Sequence, residues 1–252
     1  DSLHNLADVS TSVVVFVGFR VSRKPPTRSY PFGYERAEDL AGLGIALIIW
    51  ASAIFAGWQS YEKFVSRAGT IHLGVGMAAA VLGMVGNFAV SKYKAYVARR
   101  IQSVTLRAEA QHSWLDVISS LGALAGLATV ALGFQWGDPI AGGFVTIFIC
   151  HVGWEVTSEV VHHLMDGVEP EFLSAAEAAA RSVSGVLCAT ARGRWMGRSL
   201  TLEVEGLLDA DTSLQRAREI GRQVENAVHE AVRQVRQVSW IPAPRARSPS
   251  PV

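Results

Sequence analysis

Over the first two thirds of the chain, long uncharged apolar runs alternate with short connections, several of them basic. Residues 40–61, LAGLGIALIIWASAIFAGWQSY, carry no charge, and neither 68–91 nor 117–137 contains Asp, Glu, Lys or Arg. A fourth run, PIAGGFVTIFICHVGW at 139–154, extends past Glu155 toward the membrane surface. A helix needs about 20 apolar residues to cross a hydrocarbon core, so each run predicts a span. The opening stretch from Asp1 to Arg20 has room for most of another span, yet it starts on an acid and without Met. It reads as the remainder of a helix whose beginning is missing, so the chain is expected to be a fragment. None of the runs resembles a secretory signal, because each is internal and too long for an h-region.

After LMDGVEPE the pattern shortens. FLSAAEAAARSV predicts a helix and GVLCATARGRW a strand. SLTLEVEGLL alternates apolar and polar over Leu200, Leu202 and Val204, the mark of a half-buried strand. Asp211 to Ser213 can cap a long helix, LQRAREIGRQVENAVHEAV, and VRQVSWIPAP predicts a last strand stopped by prolines. The order αββαβ suggests helices packed on one face of a small sheet. The expected division is a membrane domain at 1–166, a small α+β domain at 167–244 and a disordered tail, RARSPSPV, at 245–252.

Composition agrees with this split. Half of the 252 residues are hydrophobic and 18% are charged, too apolar for an ordinary soluble domain and too mixed for a chain that is all membrane. A net charge of +1 gives no case for nucleic acid as a partner. Cys150 and Cys188 form neither a disulfide framework nor a CxxC site and are expected to be buried small residues. Arg20, Arg23, Lys24, Arg28 and Arg36 follow the first segment, and Lys92, Lys94, Arg99, Arg100 and Arg107 fall in the connection before the run at 117–137. The other two connections hold only Lys63 and Arg67, or no basic residue. Lys and Arg favour the cytoplasmic side, so the two basic connections and the C-terminal domain are expected there.

The candidate chemistry sits in a stretch that occurs twice. DSLHNLADVSTS at 1–12 and EAQHSWLDVISS at 109–120 both read acid-x-x-His-x-x-x-Asp-Val-x-Ser/Thr-Ser. His4 and Asp8 therefore match His112 and Asp116. Residues four apart share one helix face, so each copy offers an imidazole nitrogen and a carboxylate on successive turns. A single HxxxD is ordinarily an exposed pair on a soluble helix. Two copies with matching flanks, each running into apolar sequence, point to function, because ionisable groups are costly inside a membrane. Two antiparallel helices would close four ligands around one cation, and two His with two Asp suit a tetrahedral divalent ion, zinc first. Asp8 lies roughly 18 Å before Arg20 and Asp116 roughly 14 Å after Arg107 at ~1.5 Å per residue, similar depths reached from opposite directions.

Other polar groups in the runs carry less. Asn87 reads as a packing hydrogen bond between helices, and His151 with Glu155 as a structural or interfacial pair. Gly122 and Gly126 form a GxxxG that permits close helix approach. An intramembrane metalloenzyme fits poorly, since there is no HExxH and no spare general base beside the four ligands.

The doubled HxxxD, the loop YPFGYERAEDLAG and the DPIAG before the last run together resemble the cation diffusion facilitator family, over Asp1 to about Pro244. The resemblance implies six membrane helices, of which five are present here, and a metallochaperone-like cytosolic domain. It also implies a homodimer that exports divalent metals in exchange for protons. It places the intramembrane site on His4, Asp8, His112 and Asp116, and HxxxD in both copies is similar to the zinc-type members. A second metal site in the first cytoplasmic loop of some members would need histidines where Tyr30 and Tyr34 stand. Arg36 and Asp166 match a charge interlock between membrane and cytosolic parts. In the C-terminal domain, Gly197-Arg198, Arg218 and Trp240-Ile241-Pro242 replace metal-binding histidines, leaving His229 alone. The reading is a multi-pass transporter of the cell (inner) membrane, not an enzyme. It takes Zn2+, or Co2+, Cd2+ or Fe2+, as its substrate. A non-transporting metal sensor or scaffold of the same fold is the alternative.

Overall fold

In the computed structural model the described backbone covers residues 2–66, 73–132 and 136–244, and side chains are described over 11–65, 81–130, 132 and 136–243. The predicted tail at 245–252 lies outside these residues. The chain divides into two compact units, Asp1–Val161 and His162–Val252.

Among the described residues, the first unit has five helices: α1 (Ser2–Ser22), α2 (Ala37–Ser66), α3 (Leu73–Ile101), α4 (Val104–Ala131) and α5 (Gly137–Leu164), whose last turn belongs to the second unit. Among the described residues, Ala37–Val65, Val104–Val130 and Gly137–Leu164 are long and apolar enough to cross a membrane. Helices α2 to α5 have 28 to 30 residues. At ~1.5 Å per residue they exceed a ~30 Å hydrocarbon core by roughly 10 Å or more.

That excess corrects one expectation. Lys92, Lys94, Arg99 and Arg100 lie on α3 and Arg107 on α4, not in a loop. Nothing in the sequence from Lys92 to Arg100 breaks a helix, since Lys, Ala and Arg sustain one. The break is confined to Gln102, at φ 53, and Ser103, whose hydroxyl caps α4 by accepting from the Leu106 N–H at 3.1 Å.

Side-chain contacts fix the directions of the helices. Ser103 donates to the Glu38 carboxylate at 2.5 Å and Thr105 to the Glu38 carbonyl at 2.5 Å, so α2 and α4 start at the same end and run parallel. Gly18 packs on Ala41, which brings the end of α1 to the start of α2. The Ser91 hydroxyl donates to the Ala110 carbonyl at 2.9 Å, and Gly83 faces Ser120, so α3 descends beside α4. Trp50 donates to Thr157 at 3.0 Å while Lys63 pairs with Asp138 at 2.8 Å, which sets α5 antiparallel to α2. Helices α1, α3 and α5 thus run one way and α2 and α4 the other, as the basic residues predict.

Gly122 and Gly126 act as the sequence reading expects. A Cβ on Gly122 would collide with Val145, and one on Gly126 would meet the Asp138 Cα at 2.9 Å, so α4 and α5 approach closely at both glycines.

In the second unit, α6 (Pro170–Arg181), β1 (Cys188–Met196), β2 (Ser199–Leu208), α7 (Leu214–Ala231) and β3 (Val235–Pro244) follow the predicted αββαβ order. β1 pairs antiparallel with β2 through a turn carrying Gly197 at φ 59, a conformation that costs glycine little. β3 returns parallel to β2 after α7, leaving β2 central. Leu200, Leu202 and Val204 face Ala176 and Ala180 of α6 and Ile220, Val224 and Val228 of α7 in one apolar core. Ser213 caps α7 by accepting from the Arg216 N–H at 3.2 Å.

The expectation of two buried cysteines fails. Cys188 opens β1 on the sheet face away from the helices, alternating with buried Ala189, and is exposed; Cys150 is half-buried on α5.

Candidate cation site

His112 and Asp116 lie on successive turns of α4 and are 3% and 6% exposed. Their helix is one of the three apolar enough to cross a membrane, so an imidazole and a carboxylate are held side by side away from water. His4 and Asp8 fall on α1; their side chains lie outside the described residues. Among the described residues no group of three or more His, Cys, Asp or Glu gathers.

Where α1 meets α4, the Ser12 hydroxyl donates to the Glu109 carboxylate at 2.9 Å. Ser12 is one turn beyond Asp8, and Glu109 is one turn before His112. Because α1 and α4 run in opposite directions, this contact brings backbone positions 8 and 4 to the heights of 112 and 116. Thr11, on the same stretch of α1, is 2% exposed.

Two residues here escaped the sequence reading. Glu109 entered it only as the acid that opens the repeated motif, and Lys94 only as a charge that orients the chain. In the fold Lys94 donates to the Glu109 carboxylate at 3.0 Å and to the Ser113 hydroxyl at 3.1 Å. The signal was available in part: an acid stands three residues before each histidine of the repeated motif. His151 and Glu155 are both exposed on α5, and Asn87 is half-buried on α3. Tyr30 and Tyr34 in the α1–α2 connection pack ring against ring at 4.6 Å.

The cation efflux transmembrane domain matches residues 1–165. A probable cation efflux system protein of Mycobacterium tuberculosis is 36% identical over 231 residues, 91% of this chain and 69% of its own. The manganese efflux system protein MneS of Bacillus subtilis is 27% identical, over 91% of this chain and 80% of its own. Metal tolerance protein C1 of Arabidopsis thaliana is 28% identical, over 91% of this chain and 52% of its own. Among solved structures, a variant of the MamM CTD covers 30% of this chain and 95% of its own, at 23% identity and a TM-score of 0.29. With its transmembrane region matched throughout and its ionisable pair buried in a spanning helix, the chain belongs to the cation efflux, or cation diffusion facilitator, family.

Proposed function

We propose that this chain exports a divalent cation, zinc in the first place, from the cytoplasm in exchange for protons. His4, Asp8, His112 and Asp116 would be its four ligands. The observation that carries the reading is the burial of His112 and Asp116 on one face of α4, at the height where antiparallel α1 bears the same HxxxD. Two imidazoles and two carboxylates match the ligand preference of zinc. The C-terminal unit is read as a cytoplasmic dimerisation domain and the whole as a homodimer of the cell membrane.

Charge counting supplies the coupling. With both aspartates ionised and both histidines neutral, the empty site carries about two negative charges where uncompensated charge costs several kcal/mol. A divalent cation cancels them, and so do two protons shared among the four groups as one titrating unit. The site therefore reorients either metal-loaded or protonated, which exchanges one for the other without a separate proton path.

The test is flux in proteoliposomes with a panel of zinc, cobalt, cadmium, ferrous iron and manganese, with and without an imposed pH gradient at clamped voltage. An inward-directed proton gradient is expected to drive zinc efflux. Indifference to the gradient would make the protein a uniporter, and binding without flux would make it a sensor. Manganese has its own support in the name of the Bacillus subtilis relative. Faster flux of manganese than of zinc would replace zinc as the substrate while leaving the site in place.

A further inference from the structure

We propose that the Glu109 carboxylate, pinned by Lys94 and released by Ser12, is a latch that closes the path between α1 and α4 on one side of the cation site. The latched side is the one where α1 ends and α5 leads into the C-terminal unit. This rests on the transport reading, for it states how that same site is shut off from one face of the membrane.

Glu109 is set one turn from His112 toward that face, and its side chain is 4% exposed. One oxygen, Oε1, takes both partners: Lys94 Nζ of α3 at 3.0 Å and Ser12 Oγ of α1 at 2.9 Å. The two bonds are not equivalent in the fold. α3 and α4 are joined by only Gln102 and Ser103, and they are tied again by the buried Ser91–Ala110 bond and by Lys94 to Ser113. Such a hairpin moves as one body, so Lys94 stays with Glu109 whatever α4 does. α1 belongs to another hairpin, with α2, connected through 14 residues from Arg23 to Arg36. The Ser12–Glu109 bond is therefore a hydrogen bond that must break when α1 parts from α4.

Lys94 makes the carboxylate usable as a latch. An unpaired carboxylate at that depth would be costly and would itself hold a passing cation one turn short of the site. Paired with the ammonium, it is neutral overall yet still accepts from a hydroxyl. A neutral, reversible contact closes the gap without trapping the substrate.

The test reads access to α1 directly and needs neither cation nor flux. Thr11→Cys, in the whole protein with Cys150→Ser and Cys188→Ser, places a thiol on the buried face of α1 beside Ser12. A membrane-impermeant thiol reagent is applied from the side that carries the C-terminal domain. Adding Ser12→Ala or Glu109→Ala should speed labelling at least fivefold. Adding Ser91→Ala, which loosens α3 from α4 and leaves α1 alone, should change it less than twofold. Ser12→Ala removes one hydroxyl and keeps the test open should Glu109→Ala misfold. Unchanged labelling in Ser12→Ala, or equal acceleration by Ser91→Ala, overturns the latch. A wild-type protein that moves no cation would instead overturn the transport reading, so the two failures are told apart.

Discussion

The two units bury opposite kinds of side chain. Among the described residues, every fully buried polar or charged side chain except His163 lies in the helical unit, and so do most of the exposed large hydrophobics. The C-terminal unit has the ordinary arrangement, with a core of Ala, Val, Leu, Ile and Trp under charged helix surfaces. His163, in the last turn of α5, is stacked on Trp195 at 5.5 Å, and the Trp195 indole donates to Glu169 at 3.2 Å. Water drives the core of one unit together, whereas lipid offers the helices of the other no such force. Close approach at glycine and buried hydrogen bonds must hold those helices. The proposed site lies where polar groups are inside, whereas the C-terminal core is apolar packing.

The largest effect that sharpens this contrast is at the polar interior. Asp116→Ala and His112→Ala, and equally His4→Ala and Asp8→Ala, are expected to abolish zinc flux in proteoliposomes, with size-exclusion profile and helical content unchanged. Wild-type flux from Asp116→Ala would mean that the ligands are elsewhere.

In the apolar interior the same kind of truncation should cost stability and no chemistry. Residues 167–252 produced alone should dimerise and show no zinc above background in calorimetry at neutral pH. Leu202→Ala, at a position with no exposure, should destabilise that domain by about 2–5 kcal/mol in urea titration. Stoichiometric zinc, or a negligible change in the unfolding midpoint, would break the comparison.

A smaller effect is expected where helices meet. Gly126→Ala drives a methyl against the Asp138 backbone and should lower thermal stability in detergent by roughly 1–3 kcal/mol. Gly143→Ala on the neighbouring helix meets nothing within 4 Å and should be neutral or slightly stabilising. Equal melting temperatures for the two variants would show that the glycine contact does not hold α4 to α5.

The smallest belongs to the charged surface of α7. Arg216 and Glu219 pair at 2.8 Å with side chains 48% and 51% exposed. Solvent screening leaves Arg216→Ala under about 0.5 kcal/mol, read as a shift in the urea midpoint of the isolated domain.

Much of this was determined by the sequence alone. Uncharged runs of spanning length and the period-2 alternation of Leu200, Leu202 and Val204 each act over a few neighbours, so they are legible one stretch at a time. The repeated HxxxD was legible for the same reason: four residues make one helical turn wherever the helix lies. Tertiary structure decided what depends on pairs distant in the chain. Lys94 and Glu109 are 15 residues apart, and Ser12 and Glu109 are 97 apart. Lys94 read as an orienting charge and the other two as parts of the repeated motif, until the packing of α1, α3 and α4 put Lys94 and Ser12 on one oxygen of Glu109. Helix ends were decided there too. Lys92 to Arg100 read as a loop because charge marks the membrane boundary, but a helix ends where its hydrogen bonds end, and that is at Gln102 and the Ser103 cap.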